Sequence, residues 1–237
     1  MDADYMLPLV LTLDVHSLTM SLINIASSPG HEDTLADAVA TVLRPLPHLA
    51  VERVGSGVIA RTDAGHAERV VVAAHLTAPS DEQPLAYVEL GSIFGPGASG
   101  GKGALAVALK AAATDAYGRD VTFVFAAGGP CGDGLGAVAD DLLRADFALL
   151  TGPTNCTVRG GAADHRLVQR LTAITASEPG PLPGGVGGHG LARLAALGVP
   201  AAVFGPGDPS VAGTAGDFVT TVQLGQAEFA LRRWLAE

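Results

Sequence analysis

His75, Lys102 and Cys131 are the side chains best suited to catalysis in this 237-residue chain. An imidazole exchanges protons near neutral pH, and a thiol becomes a nucleophile once it loses its proton. A lysine amine can serve as a general acid or base. Each of the three follows a predicted buried strand or lies in a glycine-rich turn, such as GPGASGGKG at 95–103. We therefore treat them as candidate acid, base or nucleophile groups.

A second set of polar residues borders the same stretches and forms our candidates for ligand binding. These are Ser99, Thr77, Asp133, Thr154, Cys156 and His189. Hydroxyl groups serve equally well as local backbone caps, so this alternative stays open for Ser99 and Thr154. No serine lies in a G-x-S-x-G elbow, and GASGGKG lacks the spacing of a phosphate-binding P-loop.

The two cysteines leave three interpretations open. Together with His75 they match a rebuilt His/Cys/Cys metal site, because thiolates suit zinc. One of them paired with His75 matches a nucleophile and base. The plainest interpretation is two small, partly buried thiols. For Lys102, the neighbouring glycine N–H groups suggest an anion site, and a solvated lysine at the start of a helix is the alternative.

Alternating strand and helix patterns position these residues. Continuous apolar runs predict buried strands in ERVVVAAHL, DVTFVFAA, DFALLTG and VPAAVFGPG. LAVERV and GVIART predict a strand pair around the turn at 55–57, and AYVEL a short strand. Helices are predicted at 16–26, 32–43, 102–116, 132–144, 189–197 and 226–236. The order predicts an α/β fold, a three-layer sandwich with a mostly parallel central sheet.

In such a fold, ligands bind beyond the carboxyl ends of the parallel strands. The loops at 75–80, 127–133, 151–156 and 205–214 should therefore converge with GASGGKG on one cleft.

Composition excludes several kinds of partner. The net charge of −10 and the absence of a basic stripe argue against nucleic acid. No apolar run is long enough to cross a bilayer, and the first residues lack the positive charge of a signal peptide. We expect a cytoplasmic protein without membrane contact, whose two cysteines are free thiols.

Six stretches of the chain resemble the zinc aminoacylase/carboxypeptidase family, in its desuccinylase-like branch. They are SLINIASSPGHEDTLADAVATVL, GVIARTDAGHAERVVVAAHL, FGPGASGGKG, FVFAAGGPCGDGLGA, DFALLTGPTN and LARLAALGVPAAVFGPGDP. The resemblance implies the fold of the family's catalytic domain. It also implies a pair of zinc ions held by two histidines, a bridging aspartate and two further carboxylates, with a glutamate as general base.

Compared with that pattern, the chain keeps one of the five ligands, His75. Glycine or proline stands where the resemblance expects the other ligands and the base, and threonine where it expects the aspartate that orients the histidine. These positions are Gly100, Gly129, Pro130, Gly152, Gly213 and Thr77. A lone imidazole cannot hold zinc, because zinc sites need three or four protein ligands. We therefore expect no metal and no other cofactor.

The family's separate lid domain has no counterpart of its size in this chain. Only the short segment 156–186 spans that place, so we expect a single domain over 1–237. The resemblance then no longer implies dimerisation through the lid.

Our first functional hypothesis is a hydrolase-dead relative of the desuccinylases. It would keep the old cleft for a small molecule or peptide, or bind a partner protein at the surface that the lid would cover. The alternative is a metal-independent enzyme that catalyses a cyclisation, isomerisation or acyl transfer in the same cleft. A second alternative is residual zinc amidohydrolase activity.

Overall fold

A computed structural model describes residues 9–79, 85–128 and 133–237, with the backbone alone at residue 133. The strands are β1 (Ala50–Val54), β2 (Gly57–Arg61), β3 (Arg69–His75), β4 (Tyr87–Glu89), β5 (Ser92–Phe94), β6 (Asp120–Ala126), β7 (Phe147–Thr151), β8 (Ala201–Phe204) and β9 (Phe218–Thr220). The α-helices are α1 (Val15–Ile23), α2 (Asp33–Leu43), α3 (Gly103–Ala112), α4 (Asp140–Leu143), α5 (Arg166–Thr175), α6 (Gly188–Ala196) and α7 (Thr221–Ala236).

The central sheet has six strands in the order β1-β2-β6-β3-β7-β8. Strands β6, β3, β7 and β8 run parallel, while β1 and β2 form the predicted antiparallel pair at one edge. This confirms the mostly parallel α/β architecture. The carboxyl ends of four parallel strands therefore lie along one edge, where loops can meet.

The apolar runs of the strands are continuous because helices cover both faces of the sheet. In β3, Val70 and Val72 pack in a core formed with α1, α2, α3, α5 and α7. Val71 and Ala73 point to the other face and pack with α4 and α6. Alternate residues of one strand thus belong to different layers, which is the geometry of a three-layer sandwich.

A second, three-stranded antiparallel sheet has the order β4-β5-β9. The sequence analysis predicted β4 and did not predict β5 or β9, each of which has three residues. Strand β9 leads directly into α7, where Thr220 and Gln223 form a capping box. The sheet thereby links the start of α7 to the segment before α3.

The helix predicted at 132–144 is wrong. Residues 133–137 form a short 3₁₀ turn, and only the four residues of α4 are α-helical. Gly134 explains the difference, because a Cβ on it would lie 2.1 Å from the carbonyl oxygen of Ala127. The chain here packs too closely against the end of β6 for a regular helix, and glycine is a poor helix former.

Helices α3 and α5 add detail to the predicted secondary structure. Helix α3 is shorter than the predicted 102–116, and a π-helical turn, Ala98–Lys102, precedes it. Helix α5 lies within the segment 156–186, which spans the place of the family's lid domain. Among the described residues, no helix combines the length and apolar character needed to cross a membrane.

Candidate ligand-binding site

The loops at the carboxyl ends of β3, β6, β7 and β8 surround a cavity of about 140 Å³. Its lining includes His75 from β3, Gly100 from the π-helical turn and Gly152 after β7. Pro209 and Ala212 come from the loop after β8. The structure therefore brings together three positions at which the resemblance expects zinc ligands, and a single imidazole is present among them.

His75 contacts backbone carbonyl groups through both ring nitrogens. Nδ1 lies 3.1 Å from the oxygen of Thr77, and Nε2 lies 2.9 Å from the oxygen of Gly100. A neutral imidazole carries one N–H, so it donates to one of these oxygens at a time. Both nitrogen positions are therefore occupied by the protein's own backbone.

Burial lowers the pKa of His75, and the nearby Lys102 charge lowers it further. The two carbonyl groups raise the pKa, since they accept hydrogen bonds from a protonated ring, but the loss of solvent outweighs them. The net result is a pKa for His75 below the ordinary value of an imidazole.

Gly101, in the π-helical turn Ala98–Lys102, fixes the position of the His75 ring. A Cβ on Gly101 would lie 2.7 Å from Cε1 of His75 and 3.2 Å from the oxygen of Thr77. The turn can approach the imidazole only because residue 101 lacks a side chain.

Thr77 holds the segment after β3 through its hydroxyl group. Its Oγ1 donates to Glu32 Oε1 at 2.8 Å and accepts the N–H of Gly128 at 3.1 Å. Both Thr77 and Glu32 are buried. The position where the resemblance expects an orienting aspartate thus carries a hydroxyl that ties His75's loop to the start of α2 and the end of β6.

Lys102 lies in the core and not in the cavity wall. Its Nζ donates to the oxygen of Ile25 at 3.1 Å and to Ser27 Oγ at 2.5 Å. Burial lowers its pKa to about 7, against the opposing effect of Glu32. Its amine therefore faces the segment after α1.

Asp217 is the residue of this region that sequence reasoning missed. It is buried, and its carboxylate accepts the N–H groups of Gly97, Ser99 and Gly213 at 2.7 to 3.1 Å. We call this carboxylate and its three donors the loop anchor. Burial raises the pKa of Asp217, and the three donors act in the opposite direction. The partners lie up to 120 residues away along the chain, so no local pattern indicates them.

Ser99 and Thr154 are buried and bonded to backbone rather than lining the cavity. Ser99 Oγ donates to the oxygen of Asp208 at 2.8 Å. Thr154 Oγ1 accepts the N–H of Gly205 at 3.0 Å and also contacts its carbonyl oxygen. Both hydroxyls bond to backbone groups of distant segments, so they join separate loops and do not act as local caps.

Cys156 and His189 lie away from the cavity beside His75. Cys156 lies in a groove between α5 and α7, with Sγ 3.2 Å from the oxygen of Gln223, and burial raises its pKa to about 12. His189 is exposed in the first turn of α6. Cys131 and the side chain of Asp133 lie outside the described residues. Their assigned roles remain predictions.

The described side chains do not fit a zinc centre. Across the described parts of the chain, no three His, Cys, Asp or Glu side chains are grouped closely enough to hold a metal ion. Among the described residues that line the cavity, the one other polar side chain is that of Thr151, whose hydroxyl donates to the carbonyl oxygen of Ala73 at 3.1 Å. The arrangement can enclose a ligand in a largely apolar wall, in which the nitrogens of the single imidazole already face backbone carbonyl oxygens.

Comparison with known proteins supports the assignment of fold and family. No family model matches the chain. It is 36% identical over 157 residues to the succinyl-diaminopimelate desuccinylase of Corynebacterium glutamicum, covering 61% of this chain and 42% of that protein. A tripeptidase from Staphylococcus aureus superposes with a TM-score of 0.79 at 11% identity, covering 94% of this chain and 97% of that one. An M20 family metallo-carboxypeptidase from Sulfolobus solfataricus gives 0.53 at 16% identity, covering 64% and 41%.

The fold is that of a peptidase catalytic domain. Within that class, the chain belongs to the desuccinylase-like zinc peptidase family, as the sequence stretches predicted. The chain spans about half the length of the curated relatives it matches.

Proposed function

We propose that this chain is a hydrolase-dead relative of the desuccinylases that uses the old cleft to bind a small molecule or peptide. The observation that carries the proposal is the state of His75, whose two ring nitrogens both face backbone carbonyl oxygens. A zinc ligand must present a free lone pair to the metal, and Nε2 instead lies 2.9 Å from Gly100, where the resemblance expects the bridging aspartate.

The cavity wall supports the part of the proposal in which the cleft binds a small molecule or peptide. Gly100 and Gly152 leave open space where carboxylates are expected, and that space remains enclosed by Val186 and Val203. A Cβ on Gly152 would make ordinary contacts of 3.4 and 3.5 Å with these two valines. The cleft therefore keeps its walls while lacking the donor groups of a metal centre.

Placement of the remaining candidates favours binding over metal-independent catalysis. Lys102 is bonded within the core, and Cys156 lies in a separate groove. His75 is thus the one candidate catalytic group that the described residues place at the cavity. The partner protein expected at the lid surface remains a prediction.

Metal content and hydrolysis test the proposal. The purified chain is equilibrated with zinc, desalted and analysed for bound metal, and it is assayed with N-succinyl-diaminopimelate. We expect no stoichiometric zinc and no hydrolysis. The variant His75→Ala should retain the same residual zinc as the unaltered chain and as His48→Ala, a control whose imidazole contacts Ala112 far along the sequence.

One or two equivalents of zinc that disappear in His75→Ala and persist in His48→Ala would overturn the proposal. Hydrolysis that depends on added zinc would do the same.

A further inference from the structure

We infer that the cavity beside His75 takes a neutral, apolar group of the size of a benzene ring. This inference rests on the proposed function, because it names the chemical class of ligand for the same cleft. The volume of about 140 Å³ sets the size, since an enclosed apolar cavity of about 150 Å³ binds benzene.

The lining argues for an apolar ligand. Of the eighteen described residues around the cavity, sixteen are glycine, alanine, valine, leucine or proline. The two others, His75 and Thr151, already contact backbone carbonyl oxygens. A polar ligand would therefore lose its bonds to water with few new partners in return.

A charged ligand fits less well still. No described lining residue carries a charge. Two buried ionisable groups of the neighbouring turn are bonded elsewhere, Lys102 to Ile25 and Ser27, and Asp217 to the donors of the loop anchor. An ammonium or carboxylate in the cavity would be buried without a counter-charge, which costs far more than burying a methyl or phenyl group.

The cavity reaches the surface at its glycine-rich side. Gly184 and Gly185 line it and are exposed, whereas the adjacent Val186 is buried. An apolar side group of a larger molecule can enter beside these glycines while the rest of that molecule stays in solvent. The ligand class is thus a molecule with a protruding phenyl or branched aliphatic group.

Methyl NMR with three small probes tests this. Benzene, benzoate and benzylammonium are titrated into the full chain at pH 7, and the methyl signals of Leu150, Val186 and Val203 are followed, with Leu22 of the opposite core as internal reference. We expect saturable shifts at the three cavity methyls with benzene, and at least a tenfold weaker response to both ions, about 1.4 kcal/mol.

A matched pair of variants localises the binding. Gly152→Val places a branched side chain in the cavity, its Cβ at ordinary contact distance from Val186 and Val203, and should weaken benzene binding about tenfold or more. Gly136→Val makes the same change at an exposed position, where a Cβ would have no neighbour within 4 Å. This control should leave benzene binding unchanged.

Equal or stronger binding of benzoate or benzylammonium, or benzene binding that survives in Gly152→Val, would overturn the inference. So would the absence of any benzene response. Zinc content and hydrolysis, measured on the same preparations, report separately on the proposed function.

Discussion

The cavity beside His75 and the loop anchor lie on opposite sides of one short turn. The described wall of the cavity has no charged group, whereas the loop anchor is built around one. Gly100 forms part of an uncharged cavity wall, while the N–H of its neighbour Ser99 is bonded to a buried carboxylate. Lys102, two residues further on, places its amine in the core. Charge is present where it satisfies backbone groups and fixes the loop, and it is absent from the described wall that faces a ligand. The shape of a site and its chemistry therefore depend on different residues.

Removing the loop anchor should give the largest effect on stability. Asp217→Ala leaves three N–H donors of two loops without an acceptor, and two of these donors are buried. We expect the free energy of unfolding to fall by about 4 kcal/mol, measured by urea unfolding at pH 7.

The control for this variant is Asp208→Ala, in the same loop. Asp208 Oδ1 accepts one exposed N–H, from Ser210, so its loss should cost less than about 1 kcal/mol. Equal losses in the two variants would show that Asp217 does not hold the loops around the cavity.

Lys102 allows the same comparison to be tested through the pH dependence of the free energy of unfolding. Its native pKa of about 7 lies below the ordinary value of 10.5, so between these values the unfolded chain binds more protons than the native chain. Stability should therefore rise with pH above 7. We expect the free energy of unfolding to increase between pH 7 and 9 by up to about 1.4 kcal/mol per pH unit more in the unaltered chain than in Lys102→Met.

Lys110→Met is the matched control, because the amine of Lys110 also donates two hydrogen bonds, in its case to the carbonyl oxygens of Leu11 and Leu13, and lies at the rim of the core. It should keep the pH slope of the unaltered chain. If the free energy of unfolding changed with pH in the same way in Lys102→Met and in the unaltered chain, the burial of a titrating amine at position 102 would be contradicted.

The smallest expected effect concerns the contact between the turn and the imidazole. Gly101→Ala places a methyl group against His75, so the ring or the turn must move, and we expect a loss of about 2 kcal/mol. The imidazole signals of His75 in NMR should shift as well. Gly136→Ala, with open space around its Cβ, should change stability by less than about 0.5 kcal/mol. Unchanged imidazole signals in Gly101→Ala would mean that the turn does not set the ring position.

Much of the architecture could be predicted from the sequence. The apolar runs of β3, β6, β7 and β8 identified buried strands, because a strand covered on both faces needs apolar residues at every position. The order of strands and helices then predicted the sheet, and the sheet placed His75 at its carboxyl edge. These signals are local in the chain, and hydrophobic periodicity records them directly.

Only the tertiary structure decided what each residue at that edge does. Lys102 was predicted to face the cleft and lies in the core, while Asp217 gave no signal and holds two loops. The direction of a side chain at a turn, and the partners of a buried carboxylate far along the chain, depend on contacts between distant segments. A linear pattern does not contain those contacts, so the sequence determined where the site lies and the fold determined which groups face it.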